Sequence, residues 1–174
     1  MLADGELSLV LHGRGDTRRL GHRIAQCLEP GDLIVLEGGL GAGKTFLARA
    51  VARGLGVPSD VRVTSPTFEL VHELPARVPL LHVDLYRLDA GASLAELGLA
   101  DRIGVDAIAL VEWGGRFADA LGGDGLWLTL EAESEQRRGC HIEARGPRGR
   151  NLLARLQACL ARKTIHSVRC AAEA

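Results

Sequence analysis

Gly38-Gly39-Leu40-Gly41-Ala42-Gly43-Lys44-Thr45 is the stretch of this chain whose residue types and spacing point most directly to chemistry. It fits the pattern G-x-x-x-x-G-K-[ST]. In that pattern backbone N–H groups ring a phosphate chain, the lysine reaches the outer phosphates and the hydroxyl holds Mg²⁺. Gly38, Gly41 and Gly43 bring amides close to a ligand, and the N-terminus of the helix that follows adds roughly half a positive charge. The lysine is informative because the chain writes its cations as arginine. Of 21 basic residues only Lys44 and Lys163 are lysine, and a compact ammonium between phosphates is poorly replaced by a guanidinium fork. The alternative, a glycine-rich strand-to-helix turn with no ligand, is weakened by having strand, helix and Lys-Thr all in register.

Mg²⁺ takes a few hard oxygens and completes its shell with water and phosphate, so such a loop needs an acid at the end of a neighbouring strand. Two acids qualify. Asp84 follows the apolar run Leu80 to Val83, and Glu112 follows Ile108 to Val111. Glu112 is the expected metal partner, with an ion pair to Arg116 as its plain alternative. Asp84 is expected to orient the attacking water or the metal's water shell, or else simply to bond the turn amides at Tyr86. Ser65 and Thr67 flank Pro66 in a loop after the phosphate-loop helix, where nucleotide hydrolases place a hydroxyl near the metal; Thr67 is the preferred candidate and turn capping its alternative. Trp113 either packs on the loop or stacks on a partner. His82 alternates with Asp84 along its strand, and a lone histidine there reads as structural.

These side chains need elements to hold them. Asp16 or Thr17 is expected to cap a helix carrying Leu20, Ile24, Cys27 and Leu28, ended by Pro30-Gly31. A strand spans Leu33 to Glu37, and a helix with the stripe Phe46, Leu47, Ala50, Val51 and Leu55 follows the loop. Further strands are expected at Phe68 to Leu74, Leu80 to Val83 and Ala107 to Val111, with a short helix capped by Ser93. Leu126 to Leu130 and Cys140 to Ala144 form an antiparallel pair, and a closing helix runs from Asn151 to about Arg162. The continuously apolar strands suggest a sheet covered by helices on each side, and together with the phosphate-binding loop this gives an α/β three-layer fold of the P-loop NTPase kind, with a mostly parallel sheet and the antiparallel hairpin toward the C-terminus. Residues 1–162 read as a single ATPase domain and 163–174 as a loose tail.

Composition narrows the function. A chain of 174 residues buries about 70% of its unfolded surface without metals or disulfides. Cys27, Cys140, Cys159 and Cys170 lack C-x-x-C spacing, and no secretory or membrane-spanning pattern is seen, so a cytoplasmic protein with reduced thiols is expected. The net charge of −1 and 3% aromatic content supply neither the field nor the stacking platforms of a direct nucleic-acid binder. The arginines at 137, 138, 145, 148 and 150 read as solvated surface. No guanine-reading Asn-Lys-x-Asp or Thr-Lys-x-Asp motif occurs, and no arginine-rich kinase lid, so hydrolysis of ATP is favoured over GTP chemistry or transfer to a metabolite.

Leu40-Gly-Ala-Gly-Lys-Thr45, Ser65-Pro-Thr-Phe68, His82-x-Asp-Leu-Tyr-Arg87 and Val111-Glu-Trp113, in this order, resemble the TsaE (YjeE) family of bacterial ATPases over most of Thr17 to Arg155. The resemblance implies an ATPase needed for threonylcarbamoyladenosine formation in tRNA, acting with the TsaD and TsaB proteins as a switch and meeting tRNA only through them. It implies ATP on Gly39, Leu40, Gly41, Ala42, Gly43, Lys44 and Thr45, Mg²⁺ on Thr45 and Glu112, and Asp84 as the hydrolytic acid. It also implies Thr17 on the adenine side and Trp113 beside the metal-binding glutamate. Phe46 departs from the family's common second threonine. Leu74 departs from its tyrosine, which puts in doubt any contact that ring would make. An ATP-binding module that needs no hydrolysis, and a small-molecule kinase, remain the other readings.

Overall fold

The computed structural model describes residues 5–89, 94–99 and 101–162. Seven strands form one sheet in the order β1-β7-β6-β2-β5-β4-β3. They are β1 (Glu6–His12), β2 (Leu33–Glu37), β3 (Val71–Leu74), β4 (Leu80–Asp84), β5 (Ile108–Glu112), β6 (Gly125–Ala132) and β7 (Arg137–Arg145). The four middle strands β6, β2, β5 and β4 run parallel. β3 and β7 pair antiparallel at either side, and β1 closes the edge antiparallel to β7.

Period-two alternation sorts the strand residues onto two faces. Ile34, Leu36, Ile108, Leu110, Leu126, Leu128 and Leu130 point toward three helices, α1 (Gly13–Cys27), α2 (Lys44–Gly54) and α3 (Gly146–Ala161). Leu33, Val35, Leu81, Val83, Ala109, Val111 and Trp127 point the other way. β2, β4 and β5 are therefore buried almost throughout, which is why their sequences read as unbroken apolar runs. The expected second helical layer is not what covers the other face. Among the described residues that cover is Leu85, Leu94, Leu99, Phe117 and Leu121, carried by loops and two short 3₁₀ turns, Leu94–Leu97 and Gly115–Phe117. Such a cover needs only a few apolar side chains, and their spacing does not distinguish it from helix.

Several boundaries differ from the sequence-based expectation. β1 was not expected; Leu7, Leu9 and Leu11 face the core, but seven residues at an edge are a weak signal. α1 begins at Gly13, so Asp16 and Thr17 lie inside its first turns. Asp16 reaches back to accept the His12 amide at 2.8 Å, and the Thr17 hydroxyl donates to the Gly13 carbonyl at 3.3 Å. β3 starts at Val71 because Leu70, at φ 63°, turns the chain and donates its amide to the Pro66 carbonyl. α3 starts at Gly146, five residues before the expected point. Pro147 suits its first turn, and the remote Asp124 carboxylate accepts the Gly149 amide at 2.9 Å. Ser93 and residues 163–174, including Cys170, lie outside the described residues. Among the described residues no helix is long and apolar enough to cross a membrane.

Candidate functional site

The C-terminal ends of β2, β4 and β5 converge on one cleft of about 320 Å³, the position where open α/β sheets hold ligands. β2 delivers the chain into the glycine loop. At Gly38, φ is 132° and a Cβ would come within 2.2 Å of the Leu130 carbonyl oxygen, so only glycine fits. A Cβ on Gly39 or Gly41 would meet only open space, and Gly41 lines the cleft. Leu40, at the loop tip, is 86% exposed, whereas the Ala42 side chain is buried. The loop is also braced from behind: the Arg138 Nε donates to the Ala42 carbonyl at 3.0 Å, and Glu37 accepts the Gly115 amide.

Lys44 opens α2 and is 5% exposed. Its Nζ donates to the carbonyls of Gly38 at 2.7 Å and Gly39 at 2.9 Å, and it lies 3.7 Å from the centre of the Trp113 ring. Burial lowers the Lys44 pKa from its ordinary 10.5, with Glu112, Glu37 and Asp84 opposing the shift. Trp113 adopts φ 61°, a left-handed conformation uncommon outside glycine, and its ring meets Tyr86 at 5.0 Å. The loop thus holds its own cation with carbonyl groups and an aromatic face.

Thr45 is one residue further into α2. Its hydroxyl donates to Glu112 Oε2 at 2.8 Å, while Glu112 Oε1 pairs with His82 Nε2 at 2.8 Å. Asp84 and Glu112 are register partners on β4 and β5. Asp84 gathers a second group: Oδ2 accepts the Ser65 hydroxyl and, at 2.9 Å, the Thr67 hydroxyl, and Oδ1 accepts the Tyr86 amide at 2.9 Å. The 65–67 loop is therefore fastened to the end of β4. The turn-amide bond offered above as the plain alternative for Asp84 is present alongside its contact with Thr67.

The residues fit a metal–phosphate ligand. Among the described residues no cluster of three or more His, Cys, Asp or Glu side chains could hold a metal alone. A threonine hydroxyl beside one carboxylate, facing a ring of amides and an ammonium, is the sparse oxygen set that suits Mg²⁺ when phosphate supplies further ligands. Of the expected site residues, Leu40, Gly41, Gly43, Lys44, Thr45, Thr67, Asp84, Glu112 and Trp113 line the cleft. Gly39, Ala42 and Thr17 do not; Thr17 is 2% exposed on the buried side of α1. His82, read as structural from sequence, is buried and bonded to Glu112, and Arg138, 96 residues from its loop partner, carries no local signal at all.

The family model "Threonylcarbamoyl adenosine biosynthesis protein TsaE" matches residues 11–140. The chain belongs to the TsaE family. Relatives named tRNA threonylcarbamoyladenosine biosynthesis protein TsaE support this. One from Streptomyces coelicolor is 43% identical over 66% of this chain and 78% of its own. One from Rickettsia felis is 33% identical over 77% and 78%. The crystal structure of Bacillus subtilis YdiB superposes with a TM-score of 0.75 at 27% identity, covering 88% of this chain and 95% of that one. The residues matched by the family model, 11–140, include all those that line the cleft.

Proposed function

We propose that this chain is a Mg²⁺-dependent ATP hydrolase of the P-loop kind, required for threonylcarbamoyladenosine modification of tRNA and acting as an ATP-driven switch on a TsaD–TsaB complex. The observation that carries the hydrolase reading is the Thr45 hydroxyl on Glu112 in the same cleft as the Lys44 ammonium. The names of its relatives support the place in tRNA modification.

The glycine-loop amides and the N-terminus of α2 bind the phosphate chain. Lys44 exchanges the Gly38 and Gly39 carbonyls for phosphate oxygens, so its charge moves to the outer phosphates without leaving the loop. Thr45 and Glu112 are the residues that would hold Mg²⁺, which when bound neutralises charge on the outer phosphates. Asp84, through Oδ2, and Thr67 hold the position from which water can be aimed at the terminal phosphorus. Trp113 and Tyr86 shield that side of the cleft. Because Asp84 already accepts two hydroxyls of the 65–67 loop and the Tyr86 amide, turnover by the free chain is expected to be slow, and docking on partners to loosen that loop and speed it.

Three variants test this reading. Lys44→Ala is expected to abolish ATP binding by calorimetry. Glu112→Ala is expected to retain nucleotide while Mg²⁺-dependent hydrolysis falls about 100-fold or more, as for loss of a transition-state charge stabiliser. Asp84→Asn is expected to bind ATP but fail to support tRNA modification reconstituted with TsaD and TsaB. Modification at the wild-type rate by Asp84→Asn would instead favour a module that only needs ATP bound.

A further inference from the structure

His82 is 0% exposed in the middle of the sheet, yet only one of its two ring nitrogens has a partner. Nε2 lies 2.8 Å from Glu112 Oε1, while Nδ1 is buried without any hydrogen-bond partner. A carboxylate oxygen can only accept, so the pairing assigns a hydrogen to Nε2. β4 and β5 are parallel neighbours, with His82 opposite Leu110 and Asp84 opposite Glu112. The imidazole therefore reaches along the sheet to the carboxylate from the side away from the glycine loop. With Oε1 fixed in this way, Oε2 is turned to the Thr45 hydroxyl.

We propose that His82 is a positioning residue: its Nε2–H holds Glu112 in the single rotamer that presents Oε2, together with Thr45, to Mg²⁺ on a bound nucleotide. This rests on the reading of Glu112 as a metal partner. A glutamate has three side-chain torsions, and ordering it on binding would reduce metal affinity. A donor already in place removes that penalty, as outer-shell partners of metal ligands generally do. The two strands supply this donor from the core, where His82 is 0% exposed and its Nε2–H is kept from water.

The test reads Mg²⁺ affinity rather than turnover. The Mg²⁺ concentration that half-saturates the enhancement of ADP binding is measured by calorimetry for the wild type, Glu112→Ala, His82→Leu, His82→Gln and His82→Asn. Gln carries an amide N–H about where Nε2 stands, whereas Asn carries one near Nδ1. His82→Leu and His82→Asn are expected to need about tenfold more Mg²⁺, with metal-free ADP binding unchanged, and His82→Gln to recover most of the loss. Should His82→Leu fail to fold, His82→Asn, which keeps a polar side chain, decides the same point. Wild-type Mg²⁺ affinity in the Leu or Asn variant would overturn the proposal, and so would a Gln variant as weak as Leu, since the effect would then be one of shape. If Glu112→Ala leaves the Mg²⁺ response untouched, the metal role of Glu112 itself fails, and this inference falls with it.

Discussion

Lys44 is a cation kept in a place that disfavours its charge, and the effect has a measurable sign. Its folded-state pKa lies below 10.5, so between that lowered value and 10.5 the unfolded chain binds more protons. Stability without ligand therefore rises with pH across this window. Nucleotide works the other way. Phosphate charge favours the ammonium and raises the pKa again, so ATP binding is expected to take up a proton on the alkaline side, far above phosphate ionisation at about 6. Affinity should fall as pH climbs through the lowered pKa, earlier than for an ordinary lysine. Calorimetry in two buffers of different ionisation enthalpy measures the uptake; pH-independent affinity up to 10.5 would contradict it. This lysine was legible from sequence because its neighbours in the chain are also its neighbours in space. Its contact with Trp113, 69 positions away, was only one of two readings of that tryptophan, the packing of its ring on the loop.

The pairing of α1 with α2 depends on small residues meeting face to face. A Cβ on Gly21 would lie 2.5 Å from the Ala50 Cβ, and one on Gly54 would lie 2.5 Å from the Ala25 Cβ. Sequence propensity alone suggests that Gly21→Ala should stabilise α1 by up to about 1 kcal/mol. Overpacking against α2 costs about 1–3 kcal/mol, so net destabilisation of about 1 kcal/mol is expected, read as a lower midpoint in urea unfolding. Because α2 begins at Lys44, displacement of the helix also weakens ATP binding in the same variant. The helical stripes were readable from apolar spacing. The true helix starts were not, since Asp16 acts from inside α1 and Asp124 caps α3 from a different part of the chain.

At the scale of the molecule, four of the five arginines between 137 and 150 are engaged with the fold. Arg137 pairs with Glu133, Arg145 with Glu143, and Arg148 with the Pro30 carbonyl and Asp32, while Arg138 is bound to the Ala42 carbonyl. The arginine-rich stretch is thus largely neutralised or engaged with the fold, which leaves little of the phosphate-binding field that nucleic acid requires. The chain alone is expected not to retard tRNA in a gel at physiological salt, and to do so only when TsaD and TsaB are added. Retardation by the chain alone, steeply dependent on salt, would assign the arginines to RNA.

The sequence by itself determined the glycine loop, the strand-end acids Asp84 and Glu112 and the hydroxyl loop at 65–67, because each is a local pattern whose backbone geometry follows from its own residue types. It also determined the buried parallel strands, since a strand covered on both faces can carry little but apolar side chains. Only the tertiary structure decided that the three described helices lie on one face, that β1 pairs with β7, and that His82, Glu112 and Thr45 form one chain of contacts. Those outcomes depend on which strands become neighbours, a choice made by the packing of side chains distant in sequence.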